Sequence, residues 1–239
     1  MKGRVHSLQS MGGADGPGLR YVVFMQGCPL NCVYCHNPDA RSFSGAAEYT
    51  AQELCDRIVR CKPYFGSTGG VTVSGGEPLA QPAFVSQLFS LLRARGIHTA
   101  LDTSGICEPR DARPVLEYTS LVICDIKFPT QREYSRYTGG SLNTVLSFLS
   151  LTQEYKTDLW VRHVVVPGLT NTEACVKRVV ETAMRCTNLK RIELLPFRKL
   201  CEVKYKQLGL DFALKDTPEC DEQTLKKLYE YVPRHLQMT

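Results

Sequence analysis

Three cysteines stand within the stretch Gly27-Cys28-Pro29-Leu30-Asn31-Cys32-Val33-Tyr34-Cys35-His36-Asn37, three residues separating the first two and two separating the second pair. Thiolates are the usual protein ligands of an iron–sulfur cube. Cys28, Cys32 and Cys35 are near enough in sequence to reach three corners of one cube. No fourth cysteine follows at compatible spacing, since the nearest, Cys55, falls in a predicted helix. Three protein ligands leave one iron free for another molecule, so the pattern predicts chemistry at that iron. The competing reading is one zinc ion held by the three cysteines and His36. Cys35 and His36 are adjacent, however, and would have to fold back sharply to share one tetrahedral ion. The remaining eight of the eleven cysteines show no paired spacing and read as small core residues.

Such a loop needs a rigid frame. Short apolar runs rich in Val, Ile and Leu predict strands at Tyr21–Gln26, Val71–Ser74, His98–Asp102, Leu121–Asp125, Leu159–Val166 and Arg191–Leu195. Their near-continuous hydrophobicity is that of parallel strands covered on both faces. Helical periodicity lies between them. Thr50 and Glu53 form a capping box for a helix to about Lys62, and Gln81–Arg95 follows with Gly96 as its stop. Helices are also predicted over Pro109–Leu116, Leu142–Lys156, Thr172–Cys186 and Gln223–Leu236. Alternating strands and helices predict an α/β fold, a partial (β/α)6 barrel of parallel strands with outer helices. One domain is expected over 1–239, with a lead-in at 1–20, a barrel core at 21–200 and a C-terminal loop and helix at 201–239.

The strand C-terminal ends of such a fold share one rim. Ser74-Gly75-Gly76-Glu77-Pro78 follows the second strand, and reads either as a ligand loop or as a plain turn. Asp102-Thr103 and Asp125-Ile126-Lys127 end the third and fourth. Each aspartate closes an apolar strand, where an unpaired carboxylate is costly, so positive charge is expected nearby. An Asp125–Lys127 salt bridge is one way to supply it. On the fifth strand, alternation sets Arg162 and Val164 on one face and His163 on the other, where it reads as a structural histidine.

The chain has 239 residues, formal net charge +5, 43% hydrophobic and 22% charged residues, an ordinary globular composition with no long disordered stretch. Arg198, Lys199, Lys204 and Lys206 make the nearest approach to a basic cluster, read first as a solvated loop and second as an anion or partner contact. The N-terminal residues lack the apolar region of a signal peptide, and no apolar run is long enough to span a bilayer. A cytoplasmic protein with reduced thiols is expected, with neither membrane nor nucleic acid as partner.

The CxxxCxxC spacing with an aromatic, Tyr34, before the last cysteine resembles the signature of the radical S-adenosylmethionine superfamily. Gly3-Arg4-Val5-His6-Ser7, Asp15-Gly16-Pro17-Gly18-Leu19-Arg20 and Phe24-Met25-Gln26-Gly27-Cys28 further resemble the glycyl-radical enzyme activases, as does Tyr34-Cys35-His36-Asn37-Pro38-Asp39. The resemblance implies a 4Fe–4S cluster and S-adenosyl-L-methionine. Reductive cleavage of the latter would give a 5′-deoxyadenosyl radical that takes hydrogen from a partner's glycine. It implies cofactor contacts from Tyr34, Cys35, His36, Gly75, Gly76, Glu77, Thr103, Asp125, Lys127 and Arg162, with Glu77 accepting from the ammonium of the methionine moiety. It also implies a monovalent cation held by Asp102, Thr103, Asp125 and the carbonyl of Ile123. Arg198 stands where the family carries a histidine against the adenosine, and an arginine there would stack on adenine. Asp15 either positions the partner's glycine loop or caps a Gly-Pro turn. Between Asn37 and Val71 only Cys55 and Cys61 occur, so the chain lacks the cysteine-rich insert of some activases. That fits the short type that acts on pyruvate formate-lyase, and implies that enzyme as partner and flavodoxin or ferredoxin as electron donor. A radical enzyme acting on a small molecule, or an activase of another glycyl-radical enzyme, is the alternative. A non-enzymatic electron carrier or zinc module fits the rim motifs less well.

Overall fold

A computed structural model describes residues 1–237. Six strands run parallel in the order β2 (Arg20–Met25), β4 (Gly70–Gly75), β5 (His98–Thr103), β6 (Leu121–Asp125), β7 (Asp158–Val165) and β8 (Leu189–Pro196). These are the six strands read from the sequence, each within two residues of its expected ends. The supposed lead-in is different. Lys2–Gly12 forms strand β1, antiparallel to β2 on one side and to β3 (Ala47–Thr50) on the other. Both escaped the apolar-run criterion because they are largely exposed strands in which polar residues interrupt the apolar ones. The sheet therefore has eight strands with β3 and β8 at its edges, and it is open.

Helices pack on the outer face. α1 (Ala51–Val59) begins at the expected capping box, with the Thr50 hydroxyl accepting from Glu53 N and the Glu53 carboxylate from Thr50 N. α2 (Pro82–Arg93), α3 (Pro109–Leu116) and α4 (Gln131–Thr138) follow, α4 being a helix that the apolar periodicity did not show. α5 (Leu142–Glu154) and α6 (Glu173–Ala183) start at Ser141 and Thr172, whose side chains cap the first turn. α7 (Glu202–Gln207) is short, and α8 (Glu222–Tyr229) ends well before the expected Leu236. Pro233 breaks the pattern, since its ring is incompatible with the helix turn before it, and only a 3-10 turn follows at Arg234–Leu236.

Side-chain alternation divides the strands between two environments. Leu101, Val122, Leu159, Val161, Ile192 and Leu194 face the helices in the main core. Ala100, Leu121, Ile123 and Trp160 form a small separate cluster on the inner face. One step further along each inner column come Asp102, Asp125 and Arg162. The strand period thus delivers charged side chains to the same rim.

The opposite end of the inner face is held by Arg20, which is fully buried. It donates to Thr72 Oγ1 (3.0 Å), to the Val71 carbonyl and to His98 Nδ1 (3.2 Å). Thr72 Oγ1 in turn donates to the Asp15 carbonyl at 2.6 Å, drawing the loop 13–19 across the inner face. Burial, then the neighbouring Arg20 and Arg93, push the His98 imidazole down to about 4. The unfolded chain protonates this histidine near its ordinary value of about 6.5, the folded chain only near 4. Below pH 6.5 the unfolded state therefore binds the extra proton and stability falls until about pH 4. Replacing His98→Asn is expected to flatten the stability profile over that window while leaving it unchanged above pH 7, as denaturant titrations at successive pH values would show.

Candidate active site

At the C-terminal ends of the parallel strands lies a cavity of about 410 Å³. One wall carries Cys28, Cys32, Tyr34, Cys35, His36 and Asn37. The others carry Ser74 to Gly76, Asp102 to Ser104, Asp125, Lys127, Arg162, Val164, Leu195 and Pro196. The strand-end motifs and the cysteine loop, far apart in the chain, face one space.

The cysteine loop has no ladder of its own, so its polar backbone is satisfied from outside. Gly27 N and Cys28 N donate to the carbonyls of Ala40 and Arg41, at 2.8 and 3.0 Å. Asn31 N and Val33 N donate to the carbonyls of Thr138 and Tyr137 at the end of α4, at 2.8 and 3.0 Å. From the other side His36 Nε2 meets the Arg198 carbonyl at 2.8 Å, and Lys204 Nζ donates to Asn37 and Asp39 at 2.9 and 3.1 Å. The loop is thus clamped between α4 and α7.

The donor set suits an iron–sulfur cluster. Three thiols line the same cavity, and all eleven cysteines are free. Among the described residues no three His, Cys, Asp or Glu side chains are placed to hold one metal ion. His36 uses Nε2 on the Arg198 carbonyl, which weakens the zinc alternative further. Burial above all pushes the thiols up, Cys28 to about 12 and Cys32 to about 11, and Cys35 in the same direction, so metal binding must release protons. Lys127 opposes that effect at all three. Its ammonium lies 2.7 Å from Asp125; burial disfavours its charge most, but Asp125 together with Cys32, Tyr34 and Tyr134 more than offsets burial and holds it protonated.

The two rim aspartates find their positive charge within the chain. Lys127 meets Asp125, and Arg162 lies 3.6 Å from Asp102 and 2.6 Å from Glu193. Burial pushes Asp102 up to about 6 against the pull of Arg162. Of the residues expected to hold a cation, Asp102, Thr103 and Asp125 line the cavity. Asp102 accepts from Ser74 Oγ at 2.8 Å, the Thr103 hydroxyl donates to Glu77 at 2.6 Å, and the Ile123 side chain belongs to the inner apolar cluster.

Some expected assignments change. Glu77 does not line the cavity and is fully buried. Its carboxylate accepts from Leu79 N (3.0 Å), Thr103 Oγ1 (2.6 Å), Ser104 N (2.9 Å) and Ser104 Oγ (2.5 Å), which leaves no room for a ligand ammonium. It acts as the brace behind the Thr103–Ser104 wall. Gly75 and Gly76 do line the cavity, yet a Cβ at either would strike main chain, at 2.4 Å from Met25 N and 2.4 Å from the Gly27 carbonyl respectively. They are glycines because the strand end packs on the root of the cysteine loop. Arg198 turns away from the cavity and donates to the Cys220 carbonyl at 2.7 Å, so its main chain touches the site and its guanidinium does not. Asp15 lies outside the cavity lining, near Arg162 and Arg20, which partly offset the upward push of burial on its carboxyl. The basic cluster disperses into ties, Arg198 to Glu219, Lys199 to Glu202 and Lys204 to Asp39. His163 is buried as expected, 2.7 Å from the Ile126 carbonyl. Sequence reasoning missed Glu193, although alternation along β8 sets it on the inner face one residue from the apolar Ile192 and Leu194.

The model of the radical SAM superfamily matches residues 22–177. The chain belongs to the radical SAM superfamily. Its cofactors are accordingly a 4Fe–4S cluster and S-adenosylmethionine. This radical SAM enzyme is 42% identical over 236 residues to a pyruvate formate-lyase-activating enzyme of Clostridium pasteurianum, covering 98% of this chain and 99% of that one. It is 39% identical over 240 residues to the protein of the same name from Staphylococcus epidermidis, covering 97% and 96%. A solved domain of a pyruvate-formate lyase-activating enzyme from Bacteroides vulgatus superposes with a TM-score of 0.59 at 20% identity, over 72% of this chain and 98% of that one.

The bracing role of Glu77 has a distinct signature. Glu77→Ala leaves the Thr103 and Ser104 donors unpaired in a buried place, at about 1–3 kcal/mol for each orphaned group. The cofactor-free protein is expected to lose stability in denaturant titration as well as S-adenosylmethionine affinity. Loss of affinity with unchanged stability would return Glu77 to the ligand.

Proposed function

We propose that this radical SAM enzyme activates pyruvate formate-lyase by generating a radical on one of its glycines. The observation that supports it most is the sharing of one cavity by three cluster-type thiols, Lys127 and the strand-end carboxylates. The chain is also alike over nearly its whole length to proteins of that activity's name. When bound and reduced, the cluster and S-adenosylmethionine supply a 5′-deoxyadenosyl radical able to take hydrogen from a glycine α-carbon. The chain's own residues bind, orient and exclude water. Cys28, Cys32 and Cys35 are the cluster ligands. Asp125 and Lys127 match in sign the ammonium and carboxylate of the methionine moiety. Tyr34, His36, Thr103 and Arg162 border the same space, and Val164 and Leu195 add apolar surface that keeps water from a reactive intermediate. Tyr34 is buried and its hydroxyl donates to the Lys127 carbonyl at 3.4 Å, which ties the cysteine loop to the Asp125–Lys127 turn.

The reading takes the chain as one domain, because the N-terminal strands are part of the same eight-stranded sheet. It places the protein in the cytoplasm, with flavodoxin or ferredoxin as electron donor. Among the described residues no helix is long and apolar enough to cross a membrane.

The test is anaerobic reconstitution with iron and sulfide, reduction, and mixing with S-adenosylmethionine and pyruvate formate-lyase. Electron paramagnetic resonance is expected to show a glycyl-radical doublet, and Cys32→Ala to lose both the doublet and the normal cluster signal. A cluster signal altered by S-adenosylmethionine without any doublet would overturn the partner. A normal cluster in Cys32→Ala would overturn the ligand assignment.

A further inference from the structure

Tyr134 of α4 is fully buried, yet its hydroxyl has no hydrogen-bond partner. An unpaired buried hydroxyl costs about 1–3 kcal/mol, and a phenylalanine would fill the same space without that cost. The hydroxyl therefore points to an acceptor that the polypeptide alone does not supply.

The surroundings narrow the choice. α4 is the helix whose terminal carbonyls, Tyr137 and Thr138, anchor Val33 N and Asn31 N on either side of Cys32. The Thr138 hydroxyl donates back to the Tyr134 carbonyl at 2.6 Å, which fixes that turn. A Cβ built on Gly140 would meet both Leu30 (2.6 Å) and the Tyr134 ring (3.2 Å), so the ring lies close to the cysteine loop. The charged or ionisable groups acting on the hydroxyl are Lys127, Cys124, Cys32 and Asp125. Lys127 and Asp125 are paired with one another. Cys124 is fully buried and lies outside the cavity lining, whereas Cys32 opens onto the cavity. A neutral thiol is a weak acceptor, whereas a thiolate bound to iron is a strong one.

We propose that Tyr134 donates its hydroxyl hydrogen bond to the Cys32 sulfur once that sulfur is a cluster ligand, and so raises the reduction potential of the cluster. Tyr134 is a positioning and tuning residue that does not touch substrate. The inference rests on Cys32 as a cluster ligand. Hydrogen bonds to the sulfurs are one of the levers that set iron–sulfur potentials, because they favour the more electron-rich reduced state.

The experiment compares wild type with Tyr134→Phe, reconstituted anaerobically, without S-adenosylmethionine or partner protein. Potentiometric titration followed by electron paramagnetic resonance is expected to give a reduced-to-oxidised ratio about threefold lower in the variant at equal solution potential, with equal iron and sulfide content. In deuterated buffer, wild type is expected to show an exchangeable deuteron coupled to the cluster that the variant lacks. Without iron, Tyr134→Phe is expected to melt at the same or a higher temperature than wild type. Equal ratios with unchanged deuteron coupling would overturn the proposal. So would a variant that melts lower without iron, which would make the hydroxyl a structural group. Failure of wild type itself to assemble a cluster would overturn the ligand reading beneath it, an outcome separable from the others because it needs no variant.

Discussion

One buried guanidinium holds the floor of the cavity together. Arg162 on β7 meets Glu193 on β8 at 2.6 Å, Asp102 on β5 at 3.6 Å and the Ala14 carbonyl at 2.7 Å. Burial works against its charge, but Asp102 and Glu193 outweigh burial and hold it protonated. Removing one member of such a group would strand the others, at a cost of about 3–5 kcal/mol. Strands from across the sheet and the loop 13–19 thus meet at one residue beneath the site. Asp102 is fixed further by Ser74 on β4, and the wall above it by Glu77. The carboxylates that an anionic cluster would repel are neutralised from within, while Lys127 offers its charge towards the thiols.

The cysteine loop depends on the same kind of external support. Its N–H groups end on carbonyls of other segments, and its side chains reach α7. Irregular backbone is where functional groups concentrate, provided a rigid frame positions it. Here that frame includes the carbonyls of Ala40, Arg41, Tyr137 and Thr138, which hold the loop backbone. Proton loss from the three buried thiols remains a cost of cluster binding, and Lys127 eases it.

Much of this was legible in the sequence. The parallel strands announced themselves because strands buried on both faces are almost wholly apolar. The charged residues at their ends followed from alternation, as Asp102, Asp125 and Arg162 show. The antiparallel strands β1 and β3 did not, because half-exposed strands look like loops when only apolar runs are counted. Helix α4 carries only Tyr134 and Thr138 as fully buried positions among polar neighbours, so its periodicity is faint. At the site, the sequence shows which residues stand near the rim but not which way they turn. Glu77 and Arg198 carry suitable chemistry at suitable places, and the structure directs one behind the wall and the other towards Cys220. Glycines misled in a similar way, since Gly75 and Gly76 serve contacts between main chains as much as access for a ligand.

The seam of the cavity is held differently from its floor. β2 and β8 are the two ends of the parallel run, and no ladder joins them. Among the contacts that join the segments beyond them are the hydrogen bond from His36 to the Arg198 carbonyl and the ties from Lys204 to Asn37 and Asp39, at partly exposed positions. Each contributes about 0.5–1.5 kcal/mol, or less where solvent screens it. The floor, by contrast, rests on buried ion pairs and on paired strands. A closed barrel would bridge the gap between β2 and β8 with a strand ladder. In the open sheet that gap is left to side-chain contacts, so the cavity is walled there by the cysteine loop and α7 rather than by a hydrogen-bonded strand pair.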